Sequence, residues 1–303
     1  AFVAAGVVSI AASVAAQSGW TATNLHPEGA LQSHVLSGSG SQQVGTATFD
    51  KVGQAGVWNG TAASWVNLNP PGADWSRASG FYGKYQIGSA VFPDENRAGY
   101  WNGTAASWVD INPAGSKFSE VTGASGKYLV GHADIGNVTK AVLWEDRDKW
   151  IDLHPAGARW SVAYDATGNQ QAGYAKFGDE TRAGIWHGSA NSWVSLHPKG
   201  ATESYAFGTI GTQQVGYAVI GGGERAILWK GSSTRWTDLT PEGATAAKAY
   251  DIVGNQQVGY ALINGVERAG LWSGTAKSWV DLAAVLEGAW SNTQARCIWK
   301  DKK

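Results

Sequence analysis

Trp58-Asn59-Gly60-Thr61-Ala62-Ala63-Ser64-Trp65 returns letter for letter as Trp101-Asn102-Gly103-Thr104-Ala105-Ala106-Ser107-Trp108, 43 residues further on. Chance rarely produces such a copy, and weaker copies extend the series. The first Trp of the motif falls at Trp58, Trp101, Trp144, Trp186, Trp229 and Trp272, at intervals of 43, 43, 42, 43 and 43. Two other markers keep the same step. One is an aliphatic residue of the following segment (Leu25, Leu68, Ile111, Leu153, Leu196, Leu239, Leu282), and the other is the Gly that ends Gln-Gln-Val-Gly and its variants (Gly45, Gly88, Gly131, Gly173, Gly216, Gly259). A fixed period of this length marks a stack of supersecondary units and takes precedence over any local reading.

Each unit reads as four short strands. A stretch such as Ser161-Val162-Ala163-Tyr164 follows Pro-x-Gly-Ala; Gly-Asn-Gln-Gln then turns the chain into Val258-Gly259-Tyr260-Ala261-Leu262, which alternates with period two. A polar turn such as Gly178-Asp179-Glu180-Thr181 leads to a third strand, Arg-Ala-x-Leu/Ile-Trp. Asn-Gly, His-Gly or Ser-Gly then opens the next hairpin. The fourth strand, Ser-Trp-Val-Asp-Leu, stops at His-Pro or Asn-Pro, because Pro cannot donate to a ladder. Nothing in the unit reads as a helix.

A four-stranded meander of this size cannot bury both faces alone, so its copies must stack, and radial closure is the usual outcome. Seven such units fill the 303 residues. Six run from Gly29 to Leu282, and the two ends, 1–28 and 283–303, together make a seventh. Leu286-Glu287-Gly288-Ala289-Trp290-Ser291 matches the opening of a unit and Thr293 to Trp299 its first strand, leaving Ala1 to Leu25 to supply the other three. The expected fold is therefore all-β: one domain over 1–303, a seven-bladed β-propeller of four-stranded antiparallel blades, its closing blade shared by the N- and C-terminal ends. Sharing the last blade ties the ends together and removes exposed edges.

Composition agrees with this and excludes several partners. Forty-one Gly and seventeen Trp supply many tight turns and wide packing layers, while 43% hydrophobic and 16% charged residues describe a globular chain. A net charge of −1, with no basic block beyond Lys300-Asp301-Lys302-Lys303, leaves no footprint for nucleic acid or anionic lipid. Cys297 is alone, so no intrachain disulfide forms and the thiol reads as a small core residue. Ala1 to Ala16 has the small, apolar composition of a secretory h-region, but without Met or a basic flank the chain looks like a mature or trimmed product, and the repeat count claims these residues as strands.

The unit resembles the bacterial extracellular repeats named for a His-Ala-Phe motif, and more distantly WD-type propeller blades. The likeness is carried by Arg-Ala-x-Leu-Trp, Trp-Val-Asp-Leu and Gln-Gln-Val-Gly-Tyr-Ala and covers the whole chain. Arg or Lys replaces the His before Ala, and no Trp-Asp or Gly-His dipeptide is present. The resemblance implies export, to an extracellular or periplasmic location, and no established activity.

Residues fixed in every copy build the blade, so the repeated Trp of strands three and four are assigned to packing. The recurring Arg97, Lys140, Arg182, Arg225 and Arg268 are expected to pair with carboxylates or carbonyls of neighbouring blades. His26, His154 and His197 precede Pro where other copies have Asn69, Asn112 and Thr240, which makes them loop hydrogen-bonders and not metal ligands. Residues that vary between copies are freer for function. Trp75, Trp160 and Trp290 follow Gly-Ala in the connection between blades, where Phe118, Glu203 or Ala246 stands elsewhere. With Asp74 and Arg159 they form a candidate ligand-binding face; stacking on a sugar ring and capping the blade tops both account for them. No nucleophile elbow, phosphate loop or carboxylate pair breaks the repeat, so no catalytic residue, metal or cofactor is expected. The expected function is a non-enzymatic binding module that holds a glycan or protein partner on the interblade loops. A structural subunit docked in a larger complex is the alternative, and a carbohydrate-active enzyme stands third.

Overall fold

The computed structural model describes residues 21–146, 149–286 and 291–299. Within them the chain forms six successive four-stranded meanders, spanning Gln32–Asn67, Trp75–Asp110, Ser119–Asp152, Trp160–Ser195, Ala201–Asp238 and Ala244–Asp281. In each, neighbouring strands are antiparallel and follow chain order. Single parallel bridges, Asn96 to Phe118 and Thr181 to Glu203, join the second sheet to the third and the fourth to the fifth. No α-helix occurs among the described residues. The expected closing sheet is described only in part, because 1–20, 287–290 and 300–303 lie outside these residues.

The third-strand Trp is the packing unit between sheets. Trp58, Trp101, Trp144, Trp186, Trp229 and Trp272 are all fully buried. From Trp101 onward each packs on the sheet before it: Trp101 meets Val44, Ala55, Val57 and Leu68, and Trp229 meets Ala183, Ile185 and Leu196. This explains the second marker, since Leu68, Ile111, Leu153, Leu196 and Leu239 each lie under the Trp of the next unit. At about 25 cal/mol per Å² of apolar surface, each such Trp contributes a few kcal/mol.

A polar relay joins the same sheets. The Ala98 N–H donates to Ser119 Oγ (2.9 Å), Ser119 donates to Asn112 Oδ1 (2.5 Å), and Asn112 Nδ2 donates to the Ser116 carbonyl (2.7 Å). His fills the Asn place with the same two bonds: His154 lies 2.9 Å from Ser161 Oγ through Nδ1 and 3.0 Å from the Ala158 carbonyl through Nε2. The carbonyl can only accept, so Nε2 carries the proton and Nδ1 accepts from the serine. Between the fifth and sixth sheets, Ala247 stands in place of the serine and Thr240 Oγ1 takes the Ala226 N–H instead (3.2 Å). The three histidines thus serve the loops, as their alternation with Asn and Thr indicates.

The fourth strand is shorter than expected. In four sheets a single 3₁₀ turn, such as Ala62–Ser64, precedes only two strand residues. Ser64 Oγ accepts from the Asn59 N–H and donates to the Thr61 carbonyl, which winds this turn. The recurring cations also depart from expectation. Arg97 pairs with Glu95 and Asp110, Lys140 with Asp152, and Arg268 with Asp281, all within their own sheet, because the third and fourth strands are antiparallel neighbours there.

The third marker is a close-approach glycine. Every first strand carries a β-bulge, with register shifts at Val35/Ser37, Ala78/Gly80, Ala163/Asp165, Ala206/Gly208 and Ala249/Asp251, and at Val130/Gly131 on the facing strand of the third sheet. Beside it the marker Gly faces the residue before the bulge, and a Cβ on Gly216 would lie 1.8 Å from the Tyr205 carbonyl oxygen. Gly216→Ala is therefore expected to lower stability by about 1–3 kcal/mol, as overpacking does. Gly223→Ala, whose Cβ would meet its nearest neighbour at 3.8 Å, should be close to neutral. Urea midpoints compare the two, and equal midpoints would refute the assignment.

Residues 291–299 lie between the sixth sheet and the first. Thr293 Oγ1 accepts from the Ala269 N–H (2.8 Å), taking the place of the relay serine, and the Ala295 N–H donates to the Gly259 carbonyl (3.1 Å). On the other side, Trp299 Nε1 donates to the Gly40 carbonyl (3.0 Å), and Cys297 packs with Val35 and Trp58. Cys297 is buried, as its apolar neighbours require.

Candidate functional site

The first strands of all six sheets, with Arg296 and Cys297, surround one cavity of about 520 Å³. The bulges aim residues into it. A strand normally sends alternate side chains to opposite faces, but an unpaired extra residue re-aims its side chain. Here the bulged residues are Leu36, Ser79, Thr122, Tyr164, Phe207 and Tyr250, and all six line the cavity. Arg296 completes this ring from the C-terminal segment, and Arg77, Glu120 and Lys248, two residues earlier on their strands, form a second ring.

The aromatic residues gather on one side. Tyr164 lies 5.2 Å from Phe207, Phe207 lies 5.7 Å from Tyr250, and Tyr205 and Tyr217 stack at 4.8 Å with 10° between planes. Burial, helped by neighbouring hydroxyls and carboxylates, raises the Tyr174 and Tyr217 hydroxyls far above their usual range. Burial likewise pushes Tyr250 up to about 12, partly offset by Arg296. These phenols stay protonated and keep a proton to donate.

Charge sits among the rings. Arg77 approaches Glu120 at 3.7 Å, His132 reaches the same carboxylate at 3.8 Å, and Lys248 pairs with Glu224 at 2.7 Å while lying 4.1 Å above the Tyr217 ring. The Arg296 guanidinium lies 4.3 Å above Tyr250. Burial first, then the charges of Arg296 and Arg77, push the His34 pKa down. Burial also lowers His132, against the pull of Glu120.

Two carboxylates close the cavity wall from within. Asp165 accepts the Ala166 and Thr209 N–H groups (both 2.8 Å), and Asp251 accepts those of Ile252 (2.7 Å) and Ile298 (2.8 Å). Each therefore ties its strand to the next. Burial pushes Asp165 up to about 6 and, with the charge of Asp165 added, Asp251 up to about 7. Burial and then Asp251 raise the Cys297 thiol far above its usual range, so it is no thiolate nucleophile. No cluster of three metal-ligating side chains occurs among the described residues.

The residues singled out by sequence do not form one site. Trp75 and Trp160 are the first residues of the inner strands Trp75–Tyr82 and Trp160–Thr167, and both are half-buried. The Trp75 indole lies against Gly53 of the preceding sheet. Trp160 meets Tyr174 edge-on at 5.3 Å, and through Tyr174 it touches the aromatic side of the cavity. Asp74 is exposed, and Arg159 is an exposed partner of Asp179 at 3.8 Å. Trp290 lies outside the described residues. Sequence reasoning missed Arg77, Glu120, Tyr164, Phe207, Lys248, Tyr250 and Arg296. A signal was available: one position after the relay serine, or the Ala247 that replaces it, the copies read His34, Arg77, Glu120, Val162, Tyr205 and Lys248, a diversity the marker Trp, Leu and Gly do not show.

Four-stranded meanders that pack one on the next and share a cavity along their first strands define a β-propeller. No protein-family profile and no curated protein sequence matches the chain. Solved structures do. TolB from Acinetobacter baumannii superposes with a TM-score of 0.56 at 9% identity, over 86% of this chain and 67% of that one. The β-propeller domain of the Trilobed protease from Pyrococcus furiosus gives 0.57 at 14%, over 81% and 82%. Prolyl oligopeptidase B from Galerina marginata, bound to a 35mer hydrolysis and macrocyclization substrate, gives 0.52 at 9% over 82% of this chain, which spans only 42% of that enzyme. At such identities the likeness establishes the fold. It also corrects the functional expectation: these propellers belong to peptidases and to TolB. The reading of a non-enzymatic binding module holding a glycan or protein partner on the interblade loops is withdrawn, together with its alternatives of a structural subunit and a carbohydrate-active enzyme. Among the described residues no helix is long and apolar enough to cross a membrane.

Proposed function

We propose that this propeller is the substrate-admitting part of a peptide-processing system, in which an extended peptide enters the cavity along the first strands and the reacting groups belong to a separate domain or partner. The observation that carries this reading is the cavity wall. Its bulged positions have no packing duty common to the copies, yet one side is given over to Tyr164, Phe207 and Tyr250. Aromatic faces with protonated hydroxyls suit a peptide, offering apolar contact to side chains and donors to backbone carbonyls. The peptidase names of similar structures point the same way.

The same reading takes the chain as one seven-bladed domain closed by its two ends. Leu25 packs with Trp58, as Leu68 does with Trp101, which supports a preceding unit supplied by the N-terminal residues. Export from a bacterial cell rests on the resemblance of the repeat alone.

The test is fluorescence anisotropy with an N-terminally labelled, C-terminally amidated hexapeptide containing Pro and Phe. Saturable binding is expected, weakened at least about fivefold by Phe207→Ala, as for a contact worth over 1 kcal/mol. Tyr164→Phe, which keeps the ring and loses the donor, should weaken binding less than Phe207→Ala does. Absence of saturable binding, or binding indifferent to Phe207→Ala in a protein with unchanged thermal stability, would overturn the reading.

A further inference from the structure

We infer that the cavity recognises the free carboxylate end of its peptide, held by Arg296 and Arg77. This rests on the peptide reading above and adds the chemistry of the end that enters. Lys248 is occupied by Glu224 at 2.7 Å, and Arg77 has only a long contact of 3.7 Å to Glu120, which His132 also approaches at 3.8 Å. Arg296 forms no ion pair among the described residues and lies over the Tyr250 ring. A stacked guanidinium keeps its edge donors free, and those donors fit a carboxylate. The carboxylates of the inner wall form no ion pair with it, and each oxygen of Asp165 and of Asp251 accepts a backbone N–H group instead.

The arginines serve one site. Both line the same cavity, and both charges act on His34, which lies on the first strand of the first sheet. The volume, about 520 Å³, is that of a small-ligand site and takes a few residues of chain. A chain that enters so small a space end-on presents its terminus to the ring of bulged residues, where Arg296 stands beside the aromatic side chains. A carboxylate on Arg296 with an apolar last residue on Phe207 and Tyr250 uses both features at once.

The test compares three N-terminally labelled hexapeptides of one sequence by anisotropy: the free acid, the C-terminal amide, and the amide with an internal Glu. The free acid should bind at least about tenfold tighter than the amide, the effect of one charge-assisted hydrogen bond. The advantage should shrink as salt rises. Arg296→Ala and Arg77→Ala should each reduce the acid-to-amide ratio. Arg77 has 42% of its side chain exposed, which keeps the test valid if Arg296→Ala fails to fold. Equal binding of acid and amide overturns the carboxylate inference and leaves the peptide reading standing. An internal Glu that matches the free acid overturns the chain-end assignment. A ratio that survives in both variants removes the arginines from the site, and binding of none of the three peptides overturns both readings together.

Discussion

Trp229→Ala is expected to cost about 3–5 kcal/mol of stability, while Trp236→Ala, directly across the strand pair from it, should cost about 1 kcal/mol or less. The two residues are cross-strand partners within the fifth sheet, yet Trp229 is 0% exposed and Trp236 37%. Removing Trp229 deletes the knob that fills the space between the fourth and fifth sheets, against Ala183, Ile185 and Leu196. The small alanines around it cannot collapse into the void, so a cavity term adds to the lost transfer energy. Trp236 forfeits only part of its contact, because much of it is already in water. Equilibrium denaturation in urea measures both, and similar losses for the two variants would show that the inter-sheet layer is not the principal packing unit.

The same contrast shows what a repeat discloses. A residue required to build every unit recurs in every unit, so Trp58, Trp101 and their equivalents, the marker Leu and the marker Gly are legible in the sequence. Packing and close approach act in the same way in each copy. The His and Asn of the relay were legible for a related reason: two different side chains with the same donor and acceptor can alternate only where geometry is shared. Direction in space was less legible. Arg97 and Lys140 were expected to reach a neighbouring blade and instead pair along their own antiparallel strands. The cavity was missed because the bulge breaks the period-two rule. Alternation from Arg77 says nothing of an unpaired Ser79, so the inward set cannot be counted off the sequence. The connections vary at Trp75 and Trp160, but a more variable register lies inside the strand, at His34, Arg77, Glu120, Tyr205 and Lys248.

A second large effect is expected from pH. In the folded protein burial raises Asp165 to about 6 and Asp251 to about 7, whereas in the unfolded chain both return to about 3.9. The raised value means that the fold holds these protons more tightly than the unfolded chain does. Their stabilising effect is greatest near pH 4, falls as pH rises through 6 and 7, and is exhausted above about pH 8. Each aspartate should therefore lose about 2–4 kcal/mol of contribution between pH 4 and pH 8, with Asp251 the larger. Histidine works in the opposite direction: His34, His132 and His197 are lowered by burial, so protonation of the unfolded chain costs stability as pH falls below about 6.5. Subtraction separates the two. Asp251→Asn keeps the histidines and removes the titration, so the stability of the parent minus that of the variant should fall steadily from pH 4 to pH 8. A flat difference would mean that the carboxylate is ionised in the fold at no cost, its bonds from Ile252 and Ile298 compensating fully for the loss of water. The interface between the sixth sheet and the C-terminal segment would then be held by a charge, and Asp251→Asn should weaken it equally at every pH.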